Sequence, residues 1–452
     1  MKRKFYTTLS MFLVLSMGLL AQTEISVNPG DDLIAAIANA SSGDIIVVKP
    51  GVHKANFDTL TQENANILIE GKSLTIKGER FTNKPLIYIR AIDISGEIGE
   101  LTFENLEISG LPVDAETLAE DPTAEGEELV GSYFVNMTTD LVSLGKLTIK
   151  GCNIRNLHRA VIRGDRAEHD VNEIVVDNCI IHDIRNGSSY GVFRLQSNLR
   201  MNSFTLKNST LYDVQVGIIQ SENTPAEYPK TVLVENCTFY NIGGGTNSRY
   251  QFDFKLATGL NFTMQHNIIG KTNDIGLEED FDILGWRFNY EGTTATRMIA
   301  NNIAPNFLVL DNSELFQGGY ADISWSQNQY NLDLDPGFAD PANGNFSLPE
   351  DSPLREASLE GKVIGDPRWD PDYTNSVKNV EVNNISVYPN PAVGKATVVV
   401  NKPTTVDVYS LAGTKVQQYH FEKLHNAIDL SEYKPGLYLM INGNTATKLI
   451  VK

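Results

Sequence analysis

The chain has 452 residues and is short of positive charge, of cysteine and of long apolar runs. Its 37 Lys and Arg stand against 56 Asp and Glu, for a formal charge of -19. Such an acidic surface disfavours nucleic acid and anionic membranes as partners. The three cysteines include no Cys-x-x-Cys pair, which argues against a zinc site. No nucleotide-binding glycine loop stands out, and Gly243–Gly245 lies in a turn-rich stretch with no phosphate role. Heptads and a 3.6-residue periodicity are also missing, which argues against helical solenoids. One apolar run, Leu9 to Leu20, follows the basic start Lys2, Arg3 and Lys4 and precedes Ala21. At about 12 residues it falls short of the roughly 20 needed to span a bilayer. Residues 1–21 therefore read as a signal peptide rather than a membrane anchor.

What is present is a repeat. LTFENLEISGL (101–111), LTIKGCNIRNL (147–157), IVVDNCIIHDI (174–184), FTLKNSTLYDV (204–214) and VLVENCTFYNI (232–242) share one pattern, and FTMQHNIIGKT (262–272) is a weaker copy. Aligning Asn105, Gly151, Asn178, Asn208, Asn236 and His266 gives steps of 46, 27, 30, 28 and 30 residues. The long step holds an insertion with seven carboxylates between Asp114 and Glu128. That insertion reads as a solvated loop or, less simply, a calcium binder. The alternation within each copy predicts strands, and the step predicts one coil of a parallel β-helix. A single coil cannot bury its apolar face, so stacking must form one elongated core. The expected fold is all-β: a single-stranded, right-handed parallel β-helix over 22–371, then a small C-terminal β-sandwich.

Three ladders follow from the alignment. Cys152, Cys179 and Cys237 share one repeat position with Ser209 and Asn267, and read as an inward ladder of small residues. Disulfide pairing stays open as the alternative in an exported chain. Glu104, Lys150, Asp177, Lys207 and Glu235 alternate in sign and read as an exposed structural ladder. Asn156, Asp183, Asp213 and Asn241 mark a turn, where Asn and Asp tolerate the bend.

The ends carry a resemblance. DDLIAAIANA (31–40) predicts a short amphipathic helix, and SSGDIIVVKPGVH opens the first coil. This opening resembles the N-terminal caps of the pectin-lyase-like superfamily. The turn-rich segment 335–369 resembles the closing segment of bacterial β-helix proteins, including uncharacterised families of Bacteroidetes polysaccharide-utilisation loci. After a polar linker (372–384), VYPNPAVGKATVVVN, VDVYSLAGTKV, IDLSEYKPGLYLMI and TKLIVK occur in order. Residues 385–452 thus resemble the type A sorting domain of type IX secretion. The resemblance implies export to the outer surface of a Gram-negative bacterium, with the type IX machinery as a partner.

Candidate chemistry lies one strand further along each coil. AVIRGDR (160–166), GVFRLQS (191–197), GIIQSEN (217–223) and YQFDFK (250–255) occupy similar places. If alternation buries Ile162, Phe193 and Ile219, then Arg163, Arg194 and Gln220 face outward, with Asp165, Glu222, Asp253 and Lys255 beside them. Arg163, Arg194, Gln220 and Lys255 then suit the carboxylates or sulfates of an acidic polysaccharide. Glu222 and Asp253 are candidate calcium ligands. Tyr190, Tyr228, Trp286, Tyr290 and Trp325 are candidate sugar-stacking rings. The overall look is similar to chondroitinase-B-like and alginate lyases. That resemblance implies a calcium ion and basic residues neutralising a uronate carboxylate while Lys or Arg takes the C5 proton. GIIQSENT lacks the Lys of that family's pattern, and FDFKLATG has Lys255 but no Arg-His pair. Three functions stay open: binding of, or action on, an extracellular acidic polysaccharide; calcium-assisted lysis; and a structural surface protein or adhesin. Fold alone does not choose among them.

Overall fold

The computed structural model describes residues 22–54, 66–110, 131–165, 168–184, 191–215, 217–221, 225, 227–243, 250–254, 257, 259–270, 284–288, 297–300, 323–325, 335–358, 360–370, 372, 386–400, 404–410, 414–422, 425–442 and 445–452. Residues 1–21, expected to be a signal peptide, the acidic insertion, Glu222, Lys255, Tyr190 and Tyr290 lie outside them. The chain divides into two compact units, Met1–Pro371 and Asp372–Lys452.

The first unit is a right-handed parallel β-helix. One coil shows the plan: a first strand Asp170–Asp177, a second strand Ile180–Ile184 and a third strand Gly191–Arg194. Each strand pairs in parallel with its equivalent on the next coil. Asp177 meets Lys207, Ile184 meets Val214, and Arg194 meets Gln220. Among the described residues the second strands form an 8-stranded sheet, and the first and third strands run together in a 17-stranded one. The fusion comes from two long strands, Ile92–Glu104 and Tyr133–Lys150, which turn from the third face into the first without a break. First strands alternate as their sequence demands: Ile174 and Val176, Phe204 and Leu206, Val232 and Val234 are all buried in one core. Each such side chain contributes about 1.5–3 kcal/mol by leaving water.

The corners explain the repeat. Asn105, Gly151, Asn178, Asn208, Asn236 and His266 all adopt the left-handed backbone conformation, with φ between 49° and 62°. Asn156, Asp183, Asp213 and Asn241 do the same later in the coil. Asn and Asp enter this region at least cost after glycine. Side chains then link the corners from coil to coil, as Asn208 Nδ2 donates to Asp177 Oδ1 at 2.9 Å and Asn241 Nδ2 to Asp213 Oδ1 at 2.6 Å. The charge ladder also pairs in register, Glu104 with Lys150, Lys150 with Asp177, and Lys207 with Glu235. The three cysteines are buried and unpaired, and each thiol donates to carbonyls of its own and the neighbouring coil. Burial pushes the Cys179 thiol up to about 11 and raises the other two as well.

The first coil is covered at its open end, and the second strands along their face. The helix Leu33–Asn39 is capped by Asp32, whose carboxylate accepts from the Ala35 N–H, and it buries Leu33 and Ile37 on the first coil. Lys72 Nζ donates to the carbonyls of Ile37, Ala38 and Ala40 at 2.7–3.1 Å, which satisfies the last turn. The closing segment 335–370 lies along the second strands. Phe346 packs on Tyr212 and Tyr240, and Trp369 Nε1 donates to Thr210 Oγ1 at 2.7 Å. Thr210 in turn donates to the buried carboxylate of Asp366 at 2.7 Å, and Arg368 reaches Asn178 Oδ1 at 2.8 Å.

The second unit is a small β-sandwich. Thr404–Ser410, Lys415–Phe421, Gly436–Asn442 and Thr445–Val451 make one antiparallel layer and Ser386–Val393, Lys395–Val399 and His425–Asp429 the other, the two joined where Ala392 pairs in parallel with Val451. Ala396, Val398, Val406, Val408, Met440 and Leu449 share the core between them.

Candidate functional site

The third strands stack a polar row across the coils. Register places Asp93 beside Asn136, Asn136 beside Arg163, Arg163 beside Arg194, Arg194 beside Gln220, Gln220 beside Asp253, and Asp253 beside Arg287. Successive members are one strand spacing apart, about 4.8 Å. Arg163, Arg194, Gln220 and Asp253 therefore do fall in one row, as the spacing predicts.

Their exposure differs from expectation. Arg163, Gln220 and Asp253 are only 7, 6 and 5% exposed. The alternate positions Val161, Val192 and Ile218 are buried together with Ile162, Phe193 and Ile219, and Gln251 is buried beside Phe252 and Phe254. Alternate positions of these strands are equally buried, so alternation no longer separates core from solvent. Arg163, Arg194 and Gln220 meet that burial through bonds with Asp165 or with one another, while the Gln251 amide has no partner.

Asp165 organises the centre of the row. Arg163 Nε donates to its Oδ1 at 2.7 Å and Arg194 Nε to its Oδ2 at 2.5 Å. The three side chains are 8, 14 and 8% exposed for Arg163, Arg194 and Asp165. Burial pushes the Asp165 carboxyl up, but the bonds from Arg194 and Arg163 outweigh it and hold the group below its ordinary value. Arg194 Nη1 also donates to Gln220 Oε1 at 2.9 Å, and the same oxygen accepts from the Gly191 N–H at 3.1 Å. The Gln196 amide, turned so that its oxygen faces the guanidinium, accepts from Arg194 Nη2 at 2.6 Å.

Arg163 is held but not saturated. Its guanidinium carbon lies 4.8 Å from the centre of the Tyr133 ring. Among the described residues its two Nη groups donate to no protein atom. On the neighbouring coil Asn136 Nδ2 donates to Asp93 Oδ1 at 2.6 Å, and Asn136 Oδ1 is buried without a partner. His169 is fully buried nearby. The Val142 N–H donates to its Nδ1 at 3.2 Å, which puts the ring proton on Nε2, and Nε2 has no partner. Burial lowers the pKa of His169, against the pull of Asp165 and Asp170, so the ring is neutral at neutral pH.

Sequence reasoning placed Arg163, Arg194, Gln220 and Asp253, and noted Asp165 only as a neighbour. It missed Tyr133, Asn136 and His169. The first two directly follow the acidic insertion and the third lies between strands, so none shares the strand motif that found the rest.

A calcium ion does not fit the donors around Asp165, and of the two candidate calcium ligands Glu222 lies outside the described residues. Both Asp165 oxygens already bear a guanidinium. At a separation of roughly 5 Å and an effective dielectric constant of ~20, each guanidinium would repel a divalent ion by about 7 kcal/mol. Among the described residues no group of three or more His, Cys, Asp or Glu gathers to hold a metal. Of the proposed stacking rings, Tyr228 is half-buried and lies under Lys230 Nζ at 5.0 Å.

Comparison with known proteins bears mainly on the second unit. Residues 55–214 and 232–369 match two families, each described as a domain of unknown function (DUF4957 and DUF5123). No curated protein matches the chain. Among solved structures, a PL6 family alginate lyase, AlyGC, aligns with a TM-score of 0.45 and 16% identity, over 69% of this chain and 40% of that one. A mutant of the same enzyme aligns at 20% identity with the same score and coverage. The chain thus spans about 40% of the length of these structures. Among the described residues no helix is long and apolar enough to cross a membrane. Residues 386–452 match the secretion system C-terminal sorting domain, so this β-helix protein carries a type IX secretion tail that takes it to the cell surface or the extracellular space.

Proposed function

We propose that the β-helix unit binds an acidic polysaccharide along the row of third strands, with Arg163 and Arg194 taking a sugar carboxylate or sulfate. One observation carries this reading: the Arg163 guanidinium is fixed at Nε by Asp165 and at its face by Tyr133, while among the described residues both Nη groups are left over. A planar fork held this way meets a carboxylate or sulfate with two parallel bonds and loses little freedom on doing so. Two guanidiniums on one carboxylate also leave a net positive charge locally, although the chain as a whole is acidic. The orphaned Asn136 Oδ1, one coil away, suits a sugar hydroxyl. Gln220 extends the row for neighbouring sugars and Asp253 borders it, with Lys255 proposed as a further sugar contact and Glu222 as a further acidic neighbour. Residues 1–21 then serve as the export signal and 372–384 as the linker to the tail.

Affinity electrophoresis through gels containing polyuronate, chondroitin sulfate or a neutral glucan tests the reading. The full chain should be retarded by acidic polymers only. Arg163→Gln or Arg194→Gln should each weaken retardation about tenfold or more, the worth of a charge-assisted bond. Equal retardation by neutral glucan, or unchanged retardation of both variants, would refute it. Appearance of unsaturated uronide, read by ultraviolet absorbance, would extend binding to lysis.

A further inference from the structure

We infer that the Arg163 guanidinium is itself the cation of this site, so that the row takes its anionic group with no metal ion between protein and sugar. The ligand in this statement rests on the reading above; the metal does not, and the two are tested apart. A calcium ion collects six to eight oxygens, several of them from carboxylates. Among the described residues, the donors around Asp165 offer no such set. Asp165 spends Oδ1 on Arg163 and Oδ2 on Arg194. Gln220 Oε1 already accepts from Arg194 and from the Gly191 N–H. Asp253 holds a row position between Gln220 and Arg287, so a cationic residue follows it on the next coil. What remains near Asp165 is the Arg163 fork, a permanent positive charge that cannot be deprotonated or chelated away. It sits against Tyr133, and among the described residues its outer nitrogens are unspent. A uronate carboxylate bound there would be neutralised by the guanidinium alone.

Calorimetry on the metal-stripped full chain decides the matter. Calcium chloride is titrated into the wild type and into Asp165→Asn, and the two isotherms should coincide. Asp253→Asn serves in the same comparison should Asp165→Asn fail to fold, as judged by tryptophan emission. In parallel, the affinity for polyuronate should change by less than twofold between EDTA and millimolar calcium. Calcium heat that is present in the wild type and lost in Asp165→Asn or Asp253→Asn overturns the inference. So does a tenfold fall of affinity in EDTA that calcium restores. If the wild type binds no acidic polymer, the proposed ligand fails, while the calcium isotherms still settle whether the site takes a metal.

Discussion

Asp165→Asn is the most informative single change. It keeps the size of the side chain and removes the charge that two guanidiniums share. Arg163 and Arg194 would then stay in place, 8 and 14% exposed, with no counter-charge. Removing one partner from a buried ion pair costs about 3–5 kcal/mol. Arg194 is the more open of the two, which points to the lower end, about 3 kcal/mol. Urea unfolding followed by tryptophan emission measures this for the first unit alone, because Trp286, Trp325 and Trp369 all fall within residues 1–371. The midpoint should fall while the slope is kept. The pH dependence should change with it. A carboxyl held below its ordinary value contributes stability that is present above about 3.8 and lost as pH falls through the folded-state value. That acid limb should shrink in the variant. A loss under about 0.5 kcal/mol, the worth of an exposed pair, would refute the buried arrangement. The triple change Arg163→Met, Asp165→Leu and Arg194→Met sharpens the point. Apolar residues of similar volume should restore stability to near the wild-type value, yet abolish retention by polyuronate. Charges that stability does not need are then charges kept for a ligand.

Three further outcomes are expected. Burial raises the Asp366 carboxyl to about 6, against the pull of Arg368, so the closing segment should lose stability as pH rises from about 3.8 to 6 and level off above. That span is worth about 3 kcal/mol, and urea midpoints should become flat over it in Asp366→Asn. At the corner, Asn178→Gly should cost about 1 kcal/mol for the lost bond to Arg368, while Asn178→Ala should cost 1–2 kcal/mol more for its left-handed backbone; equal midpoints would remove the strain argument. Finally, binding of polyuronate should not weaken steeply with salt. The chain repels a polyanion at long range, and at 0.15 M that repulsion is screened beyond about 8 Å while the Arg163 contact is not. Retention that collapses between low and physiological salt would mean a diffuse basic surface instead.

Much of the fold was legible because its repeat acts on the backbone. Asn178, Asn208 and Asn236 recur at steps that equal the coil, since each coil needs a left-handed corner and Asn supplies one at low cost. Ile174 and Val176 alternate because the first strands have one dry face. The site was legible only in part. Register follows from the repeat, so Arg163, Arg194, Gln220 and Asp253 fall in one row. Their burial does not follow, because alternation reports two unlike faces and the third strands have none. Tyr133 and Asn136 were hidden by the insertion, which lengthens one step to 46 residues and breaks the alignment at the coil that matters. His169 lies between strands, where no periodicity marks a residue, and only its unspent Nε2 draws notice.

The cysteine ladder has a consequence for the route this chain takes. Cys152, Cys179 and Cys237 belong to separate coils, and each is sealed only when the coils above and below it have stacked. Before that moment they are ordinary thiols in an oxidising compartment, free to pair wrongly. Afterwards burial suppresses the thiolate that oxidation requires. Assembly of the solenoid is therefore a race against oxidation. A chain that reaches the surface with three reduced thiols carries a chemical record that its coils closed first.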